Sequence, residues 1–529
     1  VSGVVTDALG PIPGANIMEE GTTNGTVTDV NGKYSISVSA KSTLVFSCIG
    51  YKEQKIRVGT KTVLNVDMVE ESKMLDELVV VGYGVQRKSD VATSVASVKA
   101  DEMKTFPAGN VADMLRGRAA GVNVTSSSGR PGSTPSITIR GSRSISADNA
   151  PLYIINGSPS SATEFSTLSA DDIESVEILK DAASQAIYGA RASDGVVLVT
   201  TKRGKAGKVE VSYNGYLGIQ SLWRNFDFYS PEEYMQLRRE AKAHDKGIVD
   251  AREISIAEAL EDEVMQRVWA SGKFIDWEKE MFRNAIYHNH DVSVRGGTEK
   301  IKVSAGANYF DQQGMVVTGS GYQKFSLRLN LDFEISKWIS FGINSSYAMT
   351  KQDRDFNDFI TSSPLAEIYD VDGKYTKYIN SEGNYNPLYR AQHYGREVSR
   401  DNYRLNFFMD VKPFKGFNYR LNTSVYNQTS EDGSYKDSQY PGGGGTAVLD
   451  ESRTQNWLVE NIVTYKVPIR NKKHQLTLTG VQSVDHNGSK SIGYSVENLP
   501  VDKDWNFISQ GEFTGKPRRQ FNENNLVSF

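Results

Sequence analysis

From Lys208 onward the chain repeats a pattern that few folds can satisfy. Apolar and polar side chains alternate, one for one, in strand after strand. Val209, Val211, Tyr213, Gly215 and Leu217 alternate with Glu210, Ser212, Asn214 and Tyr216. The same order holds over 301–309, 325–333 and 339–347, with similar runs at 403–411, 417–425, 457–467 and 475–481. A period of two gives each strand one apolar and one polar face. About nine such strands are legible, and the final NNLVSF starts a tenth. A sandwich and a barrel both fit this alternation, so the connections decide. Short links at 296–300, 334–337, 413–416 and 468–473 alternate with long ones at 221–287, 312–322, 351–400, 428–454 and from 485 on. Outer-membrane barrels alternate short periplasmic turns with long outer loops in this way. Tyr309, Phe310, Trp338, Tyr347, Tyr403, Phe417, Trp457 and Tyr465 fall near strand ends, where interfacial aromatic girdles sit. The pattern favours the barrel.

Average hydropathy does not oppose that reading. The mean of -0.45 suits a soluble protein, but a barrel shows lipid only every second residue and its average stays low. There is no run of 18 apolar residues for a helical span. The formal net charge of -4 offers no basic surface for nucleic acid. Cys48 is the one cysteine, which rules out an intrachain disulfide and a cysteine zinc site; in LVFSCIGY it reads as a small buried hydrophobe. Val1 lies inside a strand-like run, VSGVVTD, so we expect the natural chain to start earlier.

Two further regions precede the strands. Residues 1–69 alternate short strand-like runs with turn signals such as Pro11-Ile12-Pro13-Gly14 and Asn31-Gly32, which suggests a small β-sandwich. Asp29, Asn31 and Gly32 faintly resemble a calcium loop, but the remaining ligand series is missing and a turn is the better reading. Residues 90–204 read as mixed α/β. Asn110 can cap a short helix in VADMLRGR, SITIR and LYII are strand-like, Asp181 opens a helix in DAASQAIY that Gly189 stops, and VVLVTTK is a last strand. Asp113, Arg116, Arg118 and Arg140 could form one ion-paired network. No nucleophile–base pair stands out, no histidine precedes His244, and the Gly129–Gly132 turn lacks the Lys-Ser/Thr ending of a phosphate loop. The chain therefore gives no support to an enzyme and calls for no cofactor or metal. His288 and His290 share a strand face without a third ligand in view, and Asp353, Asp355 and Asp358 read as a solvated loop rather than a calcium site. Within the first long loop, PEEYMQLRREAKAHD and ISIAEALEDEVMQRVWA are helical in pattern, with Tyr234, Leu237 and Ala241 on one face and Leu260, Val264 and Val268 on another.

Between the first two regions lies Asp76-Glu77-Leu78-Val79-Val80-Val81-Gly82-Tyr83-Gly84. Its β-branched centre suits an extended strand. An extended segment between domains can add itself to the sheet edge of another protein.

Several motifs then carry a resemblance. GVVTDALGPIPGANI with TDVNGKYSI and FSCIGYKEQ resembles the carboxypeptidase-regulatory-like domain. LDELVVVGYGVQRKSD, NVADMLRGRAAGVNV, SITIRGSRSI, NAPLYIINGSP and DDIESVEILKDAASQAIYGARASDGVVLVTTKRG, in that order, resemble SusC/RagA-type TonB-dependent transporters of the Bacteroidetes outer membrane. One departure is Asn156, where the family's LYVIDG motif has aspartate. The resemblance implies a mainly β protein in four parts. These are a transthyretin-like sandwich at 1–70, a TonB box and linker at 71–89, a plug at 90–205 and barrel strands at 206–529. It implies that residues 76–84 contact TonB and that Ser127, Arg130, Arg143, Asp148 and Asn149, on plug loops, face substrate. Implied partners are TonB, a SusD-like surface lipoprotein, outer-membrane lipid and an oligosaccharide or peptide. The sandwich and TonB box would be periplasmic. Nine or ten strands cannot enclose a plug of this size, since plugged transporters have about 22, so we expect the barrel to continue beyond this chain. Rival readings are a surface adhesin or scaffold without transport, a signal-transducing receptor and a secreted sandwich.

Overall fold

The computed structural model describes the chain except for residues 8–9, 23, 49–50, 52, 69–77, 82–83, 88–94, 105–108, 146–148, 182–185, 225, 227, 355–361, 470–473, 475, 501–504 and 529. It comprises two compact units, one of residues 1–79 and 85–92 and one of residues 80–84 and 93–529.

The first unit contains two four-stranded sheets. In one, Ser2–Asp7 pairs with Gly10–Pro11, with Lys33–Ser35 and, in parallel, with Val66–Asp67. In the other, the order is Gly25–Val27, Asn16–Glu19, Thr43–Ser47, Gln54–Arg57. Leu44 and Phe46 alternate inward from Thr43–Ser47 and are fully buried, joining Val5, Ile17 and Tyr34 in an apolar core. Tyr34 meets Phe46 edge to face at 5.4 Å. Cys48 is half-buried against this core. The Asp29 carboxylate accepts the backbone N–H groups of Asn31 (2.9 Å) and Lys33 (2.8 Å), which makes an Asx turn of the faint calcium pattern. Asn16–Glu19 and Gly25–Val27 are strands that the sequence pattern did not reveal, because neither is long enough to show a period.

The second unit begins with a five-stranded mixed sheet. Its order is Val95–Lys99, Ile173–Leu179, Val196–Thr201, Leu152–Ile155, Ser158–Ser160, with Val95–Lys99 on the edge. Met103, Leu115, Phe165, Ile173 and Ile178 form its buried core. Helix Val111–Met114 starts where the Asn110 side chain accepts the Asp113 N–H at 2.9 Å. Of the helix expected from Asp181, residues 182–185 lie outside the described ones, and Ala186–Ala192 forms 3-10 turns broken at Gly189 (φ 66°). The expected single ion network is divided: Asp113 pairs with Arg116, whereas Arg140 reaches Asp181. Asn156 sits at φ 51° and bridges to the neighbouring strand, with its amide nitrogen donating to Thr201 Oγ1 (2.8 Å) and its oxygen accepting from Thr201 N (3.0 Å). An aspartate there could not donate the first of these bonds.

The chain then passes Gly204, where a Cβ would lie 2.4 Å from the backbone of Val303, and enters a long antiparallel sheet. Ten long strands follow in sequential order among the described residues: Gly207–Gln220, Ala285–Gly297, Ile301–Gln313, Gly321–Ser336, Ile339–Asp353, Tyr394–Val411, Phe417–Lys436, Thr446–Val467, Leu476–Glu497 and Arg518–Ser528, with the short Glu512–Phe513 also paired to Leu476–Glu497. Short and long connections alternate at the start as expected. The connection expected at 428–454 shrinks to 437–445, because the two strands it joins run on to Lys436 and from Thr446. Most of that extension is polar, and its few apolar residues, such as Tyr435, Ala447, Val448 and Leu449, show no sustained alternation to read. The two longest strands have 22 residues, about 70 Å at ~3.3 Å per residue. A bilayer needs only about 9–11 residues per strand.

The orientation of this sheet is the reverse of a soluble core. Its apolar side chains face outward: Val209 is 66 % exposed and Leu217 is 72 %. Its polar ones are buried under the plug sheet: Asn330 is 0 % exposed, Asp291 and Asn308 are 2 %. Of the expected girdle aromatics, Tyr309, Trp338, Tyr403 and Trp457 are exposed, but Phe310 is buried against the plug near Gly109. Adjacent strand residues point to opposite faces, so Tyr309 and Phe310 cannot both face outward.

The first long connection carries helices Pro231–Lys246, Ile256–Ala259 and Glu263–Ser271. Ser230 and Glu233 form a capping box. The buried face of the first helix is Met235 and Ala243; Leu237 and Ala241 are exposed, contrary to the face read from the sequence. Leu260 and Val268 are buried as expected.

Candidate functional site

Three features bear on function: how the plug sheet is seated, a cavity above it, and the strand pair around residue 80. Apart from the Phe310 and Tyr322 rings, the seat is polar. Arg404 grips Glu164 with two bonds of 2.5 and 2.7 Å and also donates to the Pro159 carbonyl (3.0 Å). Asn406 donates to Ser158 Oγ (2.9 Å), and Asn330 to the Lys202 carbonyl (2.9 Å). Ser169 donates to Asp291 (2.8 Å), Asn214 to Asp171 (2.8 Å), and Arg203 pairs with Asp332 (2.5 Å). Arg328 pairs with Asp172. Each neutral bond contributes about 0.5–1.5 kcal/mol net. Breaking a buried ion pair from one side costs about 3–5 kcal/mol. The plug is therefore firmly held, yet by groups that water can satisfy once they part. An apolar seat would have no such substitute.

A cavity of about 560 Å³ opens on the plug where the strands run into the long connections. Gln220, Gln312 and Tyr322 come from the wall, and Asn110, Ser127 and Arg130 from the plug. No aliphatic side chain lines it. Its floor is a loop closed on itself, in which Ser133 Oγ donates to the Arg130 and Ser128 carbonyls (2.6 and 3.1 Å). Gln352 holds the Pro131 carbonyl at 2.6 Å, and Gly132, at φ 72°, lies so close to the Tyr322 ring that a Cβ would clash. A second cavity of about 560 Å³, between plug and wall, is lined by Asp171, Asp291, Asn308 and Lys324 among others.

The residues expected to face substrate separate into two groups. Ser127 and Arg130 line the outer cavity. Asn149 instead clasps its own loop, accepting from Arg143 N (2.7 Å) and Ser144 N (2.9 Å) and donating to the Ser144 carbonyl (2.8 Å). Arg143 lies in that same loop, and Asp148 lies outside the described residues. The Glu164–Arg404 grip was not legible in the sequence, since its partners are 240 residues apart. One signal was available: Arg396, Arg400 and Arg404 recur every fourth residue of one strand and therefore share a face.

Leu78–Val81 and Gly84–Arg87 are strands that pair with each other in a two-stranded sheet. The segment is extended as expected, and it forms a hairpin rather than a single strand. Asp76, Glu77, Gly82 and Tyr83 lie outside the described residues. His288 and His290 have ring centroids 5.3 Å apart, and Tyr213 bonds His290 Nδ1 at 2.8 Å.

Comparison with known proteins agrees with this geometry. Residues 87–196 match the TonB-dependent Receptor Plug Domain, and residues 1–80 match the CarboxypepD_reg-like domain. TonB-dependent receptor P26 of Formosa agariphila is 34 % identical over 494 residues, 91 % of this chain and 48 % of that protein. TonB-dependent receptor SusC of Bacteroides thetaiotaomicron is 35 % identical over 361 residues, 66 % of this chain and 33 % of that one. The chain spans about half the length or less of these curated relatives. Among solved structures, the RagAB peptide importer in its open-open state aligns with a TM-score of 0.73 and 26 % identity, over 85 % of this chain and 54 % of that one.

Proposed function

We propose that this chain, which belongs to the SusC/RagA-type TonB-dependent receptors, is part of an active importer of the bacterial outer membrane. The observation that carries the reading is the inverted wall: apolar side chains face outward, and buried polar ones hold a plug. A sheet of this kind suits lipid outside and a gated passage inside. A spanning sheet must close on itself, so the working barrel needs strands beyond the ten long ones described. The sandwich and the hairpin around Leu78–Val81 face the periplasm. TonB takes up Asp76, Glu77, Leu78, Val79, Val80, Val81, Gly82, Tyr83 and Gly84 by strand addition, with Val79, Val80 and Val81 carrying the pairing. Pulling there loosens a plug whose bonds to the wall can pass to water. Ser127 and Arg130, with Arg143, Asp148 and Asn149 in the neighbouring loop, meet a nutrient admitted under a SusD-like lid. The nutrient is an oligosaccharide; the alternative is a peptide, which is what the RagAB relative is named for importing.

The test is uptake in cells carrying the full-length receptor with Val79, Val80 and Val81 deleted. Uptake should disappear while the protein still reaches the outer membrane. A second variant, with Glu164 and Arg404 both changed to cysteine and joined by a thiol-reactive linker that contains a disulfide, should block uptake until the linker is reduced. Normal uptake through either variant overturns the pulled-plug reading and favours a scaffold or adhesin.

A further inference from the structure

Above the plug, the inner face of the wall carries more arginine than its carboxylates can neutralise. Arg396, Arg400 and Arg404 stand every fourth residue on the strand Tyr394–Val411, on the face turned to the plug. Arg404, the lowest, is committed to Glu164. Arg396, the highest, is committed to Asp432 through two bonds of 2.9 and 2.8 Å. Arg400, between them, has no carboxylate within ion-pair distance among the described residues. Arg354 joins from the neighbouring strand end, where its backbone N–H bonds the Arg396 carbonyl at 2.8 Å. Its nearest carboxylate among the described residues is the same Asp432, at 3.9 Å, already taken by Arg396. Among the described residues, one carboxylate, Asp432, thus serves Arg396 and Arg354, and none serves Arg400.

The register connects this patch to the outer cavity. Tyr322 stands opposite Gln352, Gln352 opposite Val398, and Val398 opposite Asp432. Gln352 accepts from Arg354 Nε at 3.0 Å and donates to the Pro131 carbonyl of the cavity floor. Arg130 of that floor adds a fourth cation. Burial first, and then the charges of Arg400, Arg396 and Arg130, lower the pKa of Arg354 despite Asp432. The field there is one that an incoming anion would relieve.

We propose that this patch and the cavity beside it bind an acidic oligosaccharide, with Arg400 and Arg354 holding its carboxylate or sulfate groups. The inference rests on the import reading and names its substrate class. Planar guanidiniums match both anions through paired N–H groups. The rest of the ligand must be polar, because the cavity offers hydroxyls, amides, one aromatic ring, Arg130 and an Asp113 carboxylate neutralised by Arg116, with no aliphatic side chain. These suit sugar hydroxyls and a ring face. Peptide side chains of the apolar kind would find no pocket.

The experiment is titration calorimetry of the full-length receptor in detergent, which needs no TonB and so separates this proposal from the import mechanism. The probes are an oligogalacturonate, a sulfated galactan oligosaccharide, a neutral malto-oligosaccharide and an oligoglutamate peptide, all of matched length. At least one acidic glycan should bind, more than about tenfold tighter than the neutral glycan and the peptide, and more weakly as salt rises. Arg400→Gln should weaken it about tenfold, Arg400→Lys less, and Asp432→Asn should tighten it, all with unchanged thermal stability in detergent. If Arg400→Gln lowers that stability, Arg354→Gln and Asp432→Asn decide the matter. Equal binding of the neutral glycan, tighter binding of the peptide, failure of both acidic glycans, or indifference to these substitutions overturns the proposal. A receptor that binds the acidic glycan but imports nothing would leave this site standing and remove the importer.

Discussion

The two β regions of this protein use one sequence pattern in opposite senses. In the N-terminal sandwich, Leu44 and Phe46 alternate with Thr43, Val45 and Ser47, and the alternating pair is fully buried. In the wall, Leu327 and Leu329 alternate with Arg328 and Asn330, and the leucines are the exposed members while Asn330 is fully buried. Alternation specifies two faces; what lies opposite decides which face is inside. A second four-stranded sheet covers the apolar face in the sandwich. In the wall, a polar plug covers the polar face, and the apolar face is left for lipid.

Three tests put this contrast at risk. The largest effect should come from Phe46→Ala, which empties the centre of the sandwich and should cost about 3–5 kcal/mol in urea unfolding of the module. A loss below about 1 kcal/mol would mean that the two sheets do not share a packed core. Next is Leu329→Arg, midway along an outward face. It should destabilise the receptor in lipid by about 2–4 kcal/mol, read from its unfolding midpoint in vesicles, and the same charge at exposed Val30 of the sandwich should cost within about 0.5 kcal/mol. Equal, small effects at both sites would place the wall in water and break the comparison. The smallest effect concerns pH. Burial pushes the Tyr34 hydroxyl up to about 12, where it donates to the Leu64 carbonyl at 2.8 Å. The unfolded chain gives up this proton near pH 10 while the folded one keeps it. The unfolded state therefore binds fewer protons between those values, and stability, complete below about pH 10, should fall as pH rises toward about 12. Tyr34→Phe should flatten that decline in alkaline urea titrations.

Much of this architecture was legible because alternation is a local property. Nine wall strands, the short plug strands and the Asn110 cap all announce themselves within a few residues. What stayed hidden depended on distant partners or on polar sequence. The strands around 428–454 continue without a sustained alternation, so their length could not be read. Phe310 looked like a girdle residue until its position beside Tyr309 fixed its direction. The first loop helix buries Met235 and Ala243 rather than Leu237 because of what packs on it, Ile254, Leu260 and Leu365, which come from elsewhere in the chain. The site shows the same division. Ser127 and Arg130, expected from the resemblance, line the outer cavity, whereas Arg400 stands out only once Arg396 and Arg404 are seen to be paired elsewhere.

The edge position of Val95–Lys99 has a mechanical consequence. It is the first strand of the plug sheet along the chain from Leu78–Val81, and it is bonded on one side only, to Ile173–Leu179. At the other end, the chain leaves the sheet through Gly204, pressed against Val303 of the wall. Tension applied at the hairpin therefore loads a ladder of five residue pairs first, with the far end held fast. Those five pairs can part like a zip, one tooth at a time, while the bonds that seat the rest of the plug stay closed.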